Sequence, residues 1–235
     1  MPVKSFVFDF GGVLIDWNPR YVFRSVFSDP EEMEYFLSEI APPVFFGRHA
    51  DLSYGECLAL LQERHPEYAW QIDLYREKWK EMFGGVFPET VALLEELASR
   101  FPVYGLTNWI SETFEPMKDS FDFFRFFSGI VVSGEEKCAK PDERIFQILM
   151  RRYGLTPSES VFIDDAPENV EAACRIGFQG ILFCSAEQLR DELKAKGIFL
   201  LSMGSSSSPR AFLILLSTAG LVVAPFFFPI SASSI

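Results

Sequence analysis

The stretch Val3-Lys4-Ser5-Phe6-Val7-Phe8-Asp9-Phe10-Gly11-Gly12-Val13-Leu14 decides the fold. A short apolar run ends abruptly in a carboxylate and is followed by two glycines, which let the backbone turn tightly. Such a run reads as a buried strand. In an open α/β sheet, chemistry sits outside the carboxyl ends of the strands. Asp9 therefore stands where a nucleophile or a metal ligand would be, although a turn or cap aspartate is a bland alternative for any single strand end.

What strengthens the chemical reading is recurrence. Thr107-Asn108 follow the apolar Val103-Tyr104-Gly105-Leu106, Lys140-Pro141 precede a helical stretch, and Asp164-Asp165 end Val161-Phe162-Ile163. From Pro88 onward the rhythm alternates: helices at Pro88–Arg100, Pro141–Tyr153, Pro167–Ile176 and Ser185–Lys196, and strands at Val103–Thr107, Gly129–Ser133, Ser160–Ile163 and Gly180–Phe183. This pattern predicts a parallel sheet with helices on both faces.

Between Trp17 and Phe83 the pattern is different. Arg20–Phe27, a helix begun by Asp29-Pro30, Tyr54–Arg64 behind the Ser53/Glu56 capping pair, and Ala69–Phe83 all read as helices, with no strand among them. The expected organisation is a core of residues 1–16 and 84–198, a helical insertion at 17–83, and a separate tail at 199–235. The tail has a run of four serines, Ser205 to Ser208, then the uncharged stretch 211–230, long enough to span a bilayer. Pro225, Pro229 and Gly220 weaken it as a helix. It reads as an extension without a selected role, with a C-terminal membrane anchor as the alternative.

The chain has 235 residues, 49% hydrophobic and 23% charged, a composition of ordinary globular type, with 26 phenylalanines for the core. A formal net charge of −12 argues against nucleic acid and anionic membranes as partners. It leaves room for a phosphorylated substrate, since a local lysine and a metal ion override the global field. Cys57, Cys138, Cys174 and Cys184 have no CxxC spacing, and no secretory signal precedes the first strand. The expected compartment is the reducing cytoplasm.

Each motif has its chemistry. The Asp9 carboxylate can attack phosphorus and split one hard step into two easier ones. The turn at Gly11-Gly12 leaves the Gly11 carbonyl free to ligate a cation. Thr107 and Asn108 can hydrogen-bond a transferring phosphoryl group, or simply start a helix. Lys140 can offset the charge of phosphate and nucleophile together, where a solvated lysine is the default. Two adjacent carboxylates after a buried strand, with Asn169 nearby, are costly unless a cation shares them; with Asp9 they supply the hard oxygens that suit Mg²⁺.

The four segments Phe8-Asp9-Phe10-Gly11-Gly12-Val13-Leu14, Leu106-Thr107-Asn108, Lys140-Pro141-Asp142 with Ile145-Phe146, and Phe162-Ile163-Asp164-Asp165 with Asn169 resemble the haloacid dehalogenase-like hydrolase superfamily over about residues 3–198. The resemblance implies a Rossmann-like core, a helical cap inserted after the first motif, and Mg²⁺-dependent hydrolysis of phosphate monoesters. It implies Asp9 as nucleophile and Thr107 and Asn108 as phosphoryl-binding residues. Lys140 would neutralise charge. Asp9, the Gly11 carbonyl and Asp165 would ligate Mg²⁺, with Asp164 and Asn169 ordering the metal shell and Lys140.

One departure stands out. Phosphatases of this family usually carry a second aspartate two residues after the nucleophile as general acid and base, a role worth about 10²–10⁴-fold. Here the position is Gly11. The chain resembles the small sugar-phosphate phosphatases that have glycine there, so a small phosphorylated metabolite, a sugar phosphate first, is the expected substrate. The missing proton would come from a cap residue or a substrate hydroxyl. Arg48, His49, Arg76, Lys78 and Trp79 are the cap candidates for contacting it. A 2-haloacid dehalogenase, with Asp9 attacking carbon, and a non-catalytic binding protein on the same fold are the alternatives.

Overall fold

The computed structural model describes residues 2–41, 49 and 52–200. Five parallel strands form the main sheet in the order β5-β4-β1-β6-β7: β1 (Ser5–Phe8), β4 (Val103–Thr107), β5 (Gly129–Val132), β6 (Ser160–Asp164) and β7 (Gln179–Leu182). β1 lies in the middle, with Phe8 in register with Gly105 of β4 on one side and Ile163 of β6 on the other. The chain runs from β1 outward to β4 and β5, then returns to the other flank. The reversal falls beside β1, where open parallel sheets bind their ligands.

Alternation along β1 builds two cores. Phe6 and Phe8 pack with Leu93, Leu94, Val103 and Leu189 on one face, while Val7 packs with Leu106, Ile145, Phe146 and Phe162 on the other. The covering helices follow local signals. α5 (Pro88–Ala98) and α9 (Pro167–Ile176) begin with proline at a first-turn position, and α8 (Glu143–Tyr153) is capped by Asp142 and stopped by Gly154 in the left-handed conformation. α10 (Ala186–Ala195) is capped by the Ser185 side chain.

Between β2 (Ile15–Trp17) and β3 (Phe83–Val86) lie α1 (Arg20–Phe23), α2 (Pro30–Tyr35), α3 (Tyr54–Arg64) and α4 (Ala69–Glu77). They bury their own cluster, including Phe23, Phe36, Leu61, Ile72 and Tyr75. The Ser53/Glu56 capping box forms as expected, with the Glu56 amide donating to Ser53 Oγ at 3.3 Å and the Ser53 amide donating to Glu56 at 2.8 Å.

Two helical expectations need correction. The first helix spans only Arg20–Phe23. The stretch expected to stay helical to Phe83 ends at Glu77, passes through a tight turn at Trp79–Met82 and becomes β3, antiparallel to β2. Gly84 and Gly85 remove the apolar alternation that would reveal a strand, and β3 is held by its pairing with β2. Two further helices, α6 (Ser111–Lys118) and the single-turn α7 (Ser133–Glu136), follow β4 and β5. The 211–230 stretch lies outside the described residues, and no described helix is long and apolar enough to cross a membrane.

Candidate functional site

Three neighbouring strands deliver the site. Asp9 follows β1, Thr107 closes β4 and Asp164 closes β6. The Asp9 amide donates to the Ile163 carbonyl at 2.9 Å, which fixes the nucleophile candidate at the level of the acid pair. Asp9, Asp164 and Asp165 each offer a carboxylate oxygen, all within 4.8 Å of one another.

Lys140 reaches into this cluster. Its Nζ lies 2.9 Å from Asp9 Oδ1 and 2.7 Å from Asp164 Oδ2, with the Lys140 and Asp164 side chains fully buried. Asp164 Oδ1 also accepts from the Ala166 amide at 2.9 Å and from Asn169 Nδ2 at 3.0 Å. Asp164 thus does two jobs: it closes the turn into α9, and it anchors the lysine. Asn169 acts on Asp164, one bond removed from the lysine.

Asn108 is placed differently from Thr107. Its side-chain amide is engaged with the backbone of Lys140, donating to the carbonyl at 2.9 Å and accepting from the amide at 2.8 Å. Thr107 is buried and, with Gly11 and Asn108, faces the cavity beside the acid cluster.

The electrostatics are those of an under-neutralised acid cluster. Burial pushes the Asp9 carboxyl up to about 7; Asp164 and Asp165 add to the rise, and Lys140 opposes it. Asp165 is also raised, by burial and by Asp164. Burial pulls the Lys140 ammonium down, but Asp164 and Asp9 outweigh it and hold the group above its ordinary value. Three carboxylates against one ammonium leave negative charge that a divalent cation would offset.

The local backbone fits such an ion. Gly12 has φ +73°, and a Cβ there would stand 2.1 Å from Asp165 Oδ2. Only a glycine lets this loop pass under the Asp165 carboxylate. Gly11, by contrast, has open space where a Cβ would be. The hard carboxylate oxygens of Asp9, Asp164 and Asp165 form a donor set of the kind Mg²⁺ takes.

Of the cap candidates, Trp79 lines the cavity next to Thr107. Lys78 instead pairs with Glu81 at 3.1 Å, Arg76 is exposed, and neither it nor His49 is part of the lining. Arg48 lies outside the described residues. The sequence reading missed Trp17, Tyr54, Tyr75, Phe83 and Trp109, which supply the other aromatic rings of the wall. Trp109 could have been found, since it directly follows Asn108; the others reach the cavity only through tertiary folding.

The sequence profile of the haloacid dehalogenase-like hydrolase family matches residues 3–177. The sesquiterpene phosphatase astK of Aspergillus oryzae is 26% identical over 191 residues, covering 76% of this chain and 88% of that protein. The chloroplast flavin mononucleotide hydrolase 1 of Arabidopsis thaliana is 30% identical over 107 residues, 45% of this chain; the chain spans under half of that relative, 43%. Among solved structures, a haloacid-dehalogenase-family enzyme of Bacteroides thetaiotaomicron in complex with magnesium and inorganic phosphate has a TM-score of 0.58 at 24% identity, over 76% of this chain and 93% of that one. That likeness speaks for the fold.

Proposed function

The chain belongs to the haloacid dehalogenase-like hydrolase family and is a hydrolase, and from that premise we propose that it is a Mg²⁺-dependent phosphatase of a small phosphorylated metabolite, with Asp9 as nucleophile. The observation that carries this reading is the Asp9 carboxylate held 2.9 Å from a buried lysine within a trio of acids. Relatives named as phosphatases support it.

In this account an Asp9 oxygen attacks phosphorus as the ester P–O bond breaks. The alcohol oxygen leaves and takes a proton from solvent or substrate, because Gly11 offers none. Water then attacks the aspartyl-phosphate, loses a proton, and frees phosphate and Asp9. The net reaction consumes one water and yields the alcohol and inorganic phosphate. Lys140 favours the ionised form of Asp9 against the pull of burial and shares the negative charge as it builds. Thr107, at the tip of β4, donates to the phosphoryl oxygens. Asn108 serves by fixing Lys140. Asp9, Asp165 and the Gly11 carbonyl would hold Mg²⁺, which when bound would supply the remaining positive charge facing the phosphoryl oxygens.

We take residues 17–83 as the cap that covers this site and residues 1–16 and 84–198 as the core that performs the chemistry. Phosphate release that requires Mg²⁺ and is abolished in Asp9→Asn is the result expected; turnover unaffected by that substitution rejects the assignment.

A further inference from the structure

The cavity beside Thr107 and Gly11 has a volume of about 150 Å³, and no charged side chain is among the described residues that line it. Its wall is aromatic: Trp17, Tyr54, Tyr75, Trp79, Phe83 and Trp109. Three of these rings brace one another. Trp79 meets Phe83 edge-on at 5.6 Å between centroids, and Phe83 stacks on Trp109 at 5.7 Å.

Several polar groups in the wall, on Tyr75, Trp109, Thr113 and Asn108, are already engaged. Tyr75 donates its hydroxyl to the Ala41 carbonyl at 2.8 Å. Trp109 Nε1 donates to Thr113 Oγ1 at 2.9 Å, and that hydroxyl donates to the Ile110 carbonyl at 3.2 Å. The Asn108 amide is taken by Lys140. A hydroxylated ring entering here would set its hydroxyls against ring faces with few partners, which is unfavourable relative to water. An apolar skeleton would lose nothing and would bury its surface. A dry cavity of roughly this volume holds a benzene-sized group.

We propose that this site hydrolyses the phosphate monoester of an apolar alcohol, whose carbon skeleton fills the aromatic cavity while the phosphoryl group meets Asp9. The proposal rests on the phosphatase reading and turns its substrate away from sugar phosphates. Trp79, on the cap side, is the specificity-determining residue best suited to test it, since it is only partly buried and lies outside the acid cluster.

The test compares cyclohexylmethyl phosphate with glucose 6-phosphate, using the full chain and Mg²⁺. Both are six-membered rings carrying a primary phosphoester, so leaving-group chemistry is nearly matched and the ring hydroxyls differ. The expected kcat/KM for the cyclohexylmethyl ester is at least about tenfold higher, carried mainly by KM. Trp79→Ala narrows the gap and Trp79→Phe restores it. Equal turnover, or a preference for glucose 6-phosphate, overturns the proposal and leaves the phosphatase reading intact.

If neither ester nor p-nitrophenyl phosphate is turned over, the phosphatase reading fails. The cavity is then judged by binding, with both esters titrated into Asp9→Asn protein and read by tryptophan fluorescence. Tighter binding of the cyclohexylmethyl ester supports the apolar site; equal or weaker binding overturns it.

Discussion

The Asn108 side chain grips both backbone groups of Lys140, with Nδ2 2.9 Å from its carbonyl and Oδ1 2.8 Å from its amide. These two bonds tie the loop after β4 to the loop that carries the lysine, across 32 residues of sequence. The position of the ammonium is therefore set partly by a residue that never touches it. Asn108→Ala should lower kcat more than it raises KM and cost about 1–3 kcal/mol of stability, the sum of two ordinary hydrogen bonds. Steady-state kinetics and urea denaturation check both.

Lys140 is the cation that Asp9 and Asp164 face at 2.9 Å and 2.7 Å. Lys140→Met should abolish activity and destabilise the metal-free protein by about 3–5 kcal/mol near neutral pH, because it leaves buried carboxylates uncompensated. The penalty should shrink at acid pH, where those carboxyls take up protons. Denaturation midpoints at the two pH values measure the difference.

Gly11 and Gly12 should respond in opposite ways. Gly12→Ala drives a Cβ into the Asp165 carboxylate at a positive φ, so it should weaken Mg²⁺ binding and cut activity sharply. Gly11→Ala meets open space and should be tolerated. Gly11→Asp starts from the same open Cβ position and places a carboxyl two residues after the nucleophile, so it should speed esters with poor leaving groups more than p-nitrophenyl phosphate. Slower turnover of every ester would show that the space is used by substrate.

The metal-free protein should lose stability as pH rises. Asp9, raised from 3.8 to about 7, holds its proton more tightly folded than unfolded. Its contribution is full below its unfolded value and is lost as pH rises through about 7. Mg²⁺ binds the ionised carboxylate in competition with that proton. The rise in Tm on adding Mg²⁺ should therefore be larger at about pH 8 than at about pH 5. A shift that is the same at both values contradicts this linkage.

The parallel sheet and the strand-tip residues were legible because both rest on local signals. Apolar runs end in Asp9, Thr107 and Asp164, and proline, serine and glycine punctuate the helices between them. β3 was not legible, since Phe83-Gly84-Gly85-Val86 has neither β-branched density nor clean alternation, and only its pairing with β2 makes it a strand. The role of Asn108 was hidden for a similar reason: its partner is the backbone of Lys140, and no side-chain chemistry announces that bond. The aromatic wall escaped because its members, from Trp17 to Trp109, lie far apart in sequence and meet only in the fold. Arg76 and Lys78 looked more suitable for a substrate than they are in space.

Asp9 as nucleophile of a Mg²⁺-dependent phosphoryl transfer is the central claim. The most direct test is phosphate release from cyclohexylmethyl phosphate and p-nitrophenyl phosphate, with Mg²⁺ and with chelator, by wild type and by Asp9→Asn that is shown to be folded. The account predicts release by wild type in Mg²⁺, its loss in chelator, and no release by Asp9→Asn. Release that persists in Asp9→Asn, or its absence in wild type accompanied by halide release from 2-chloroacids, would contradict it.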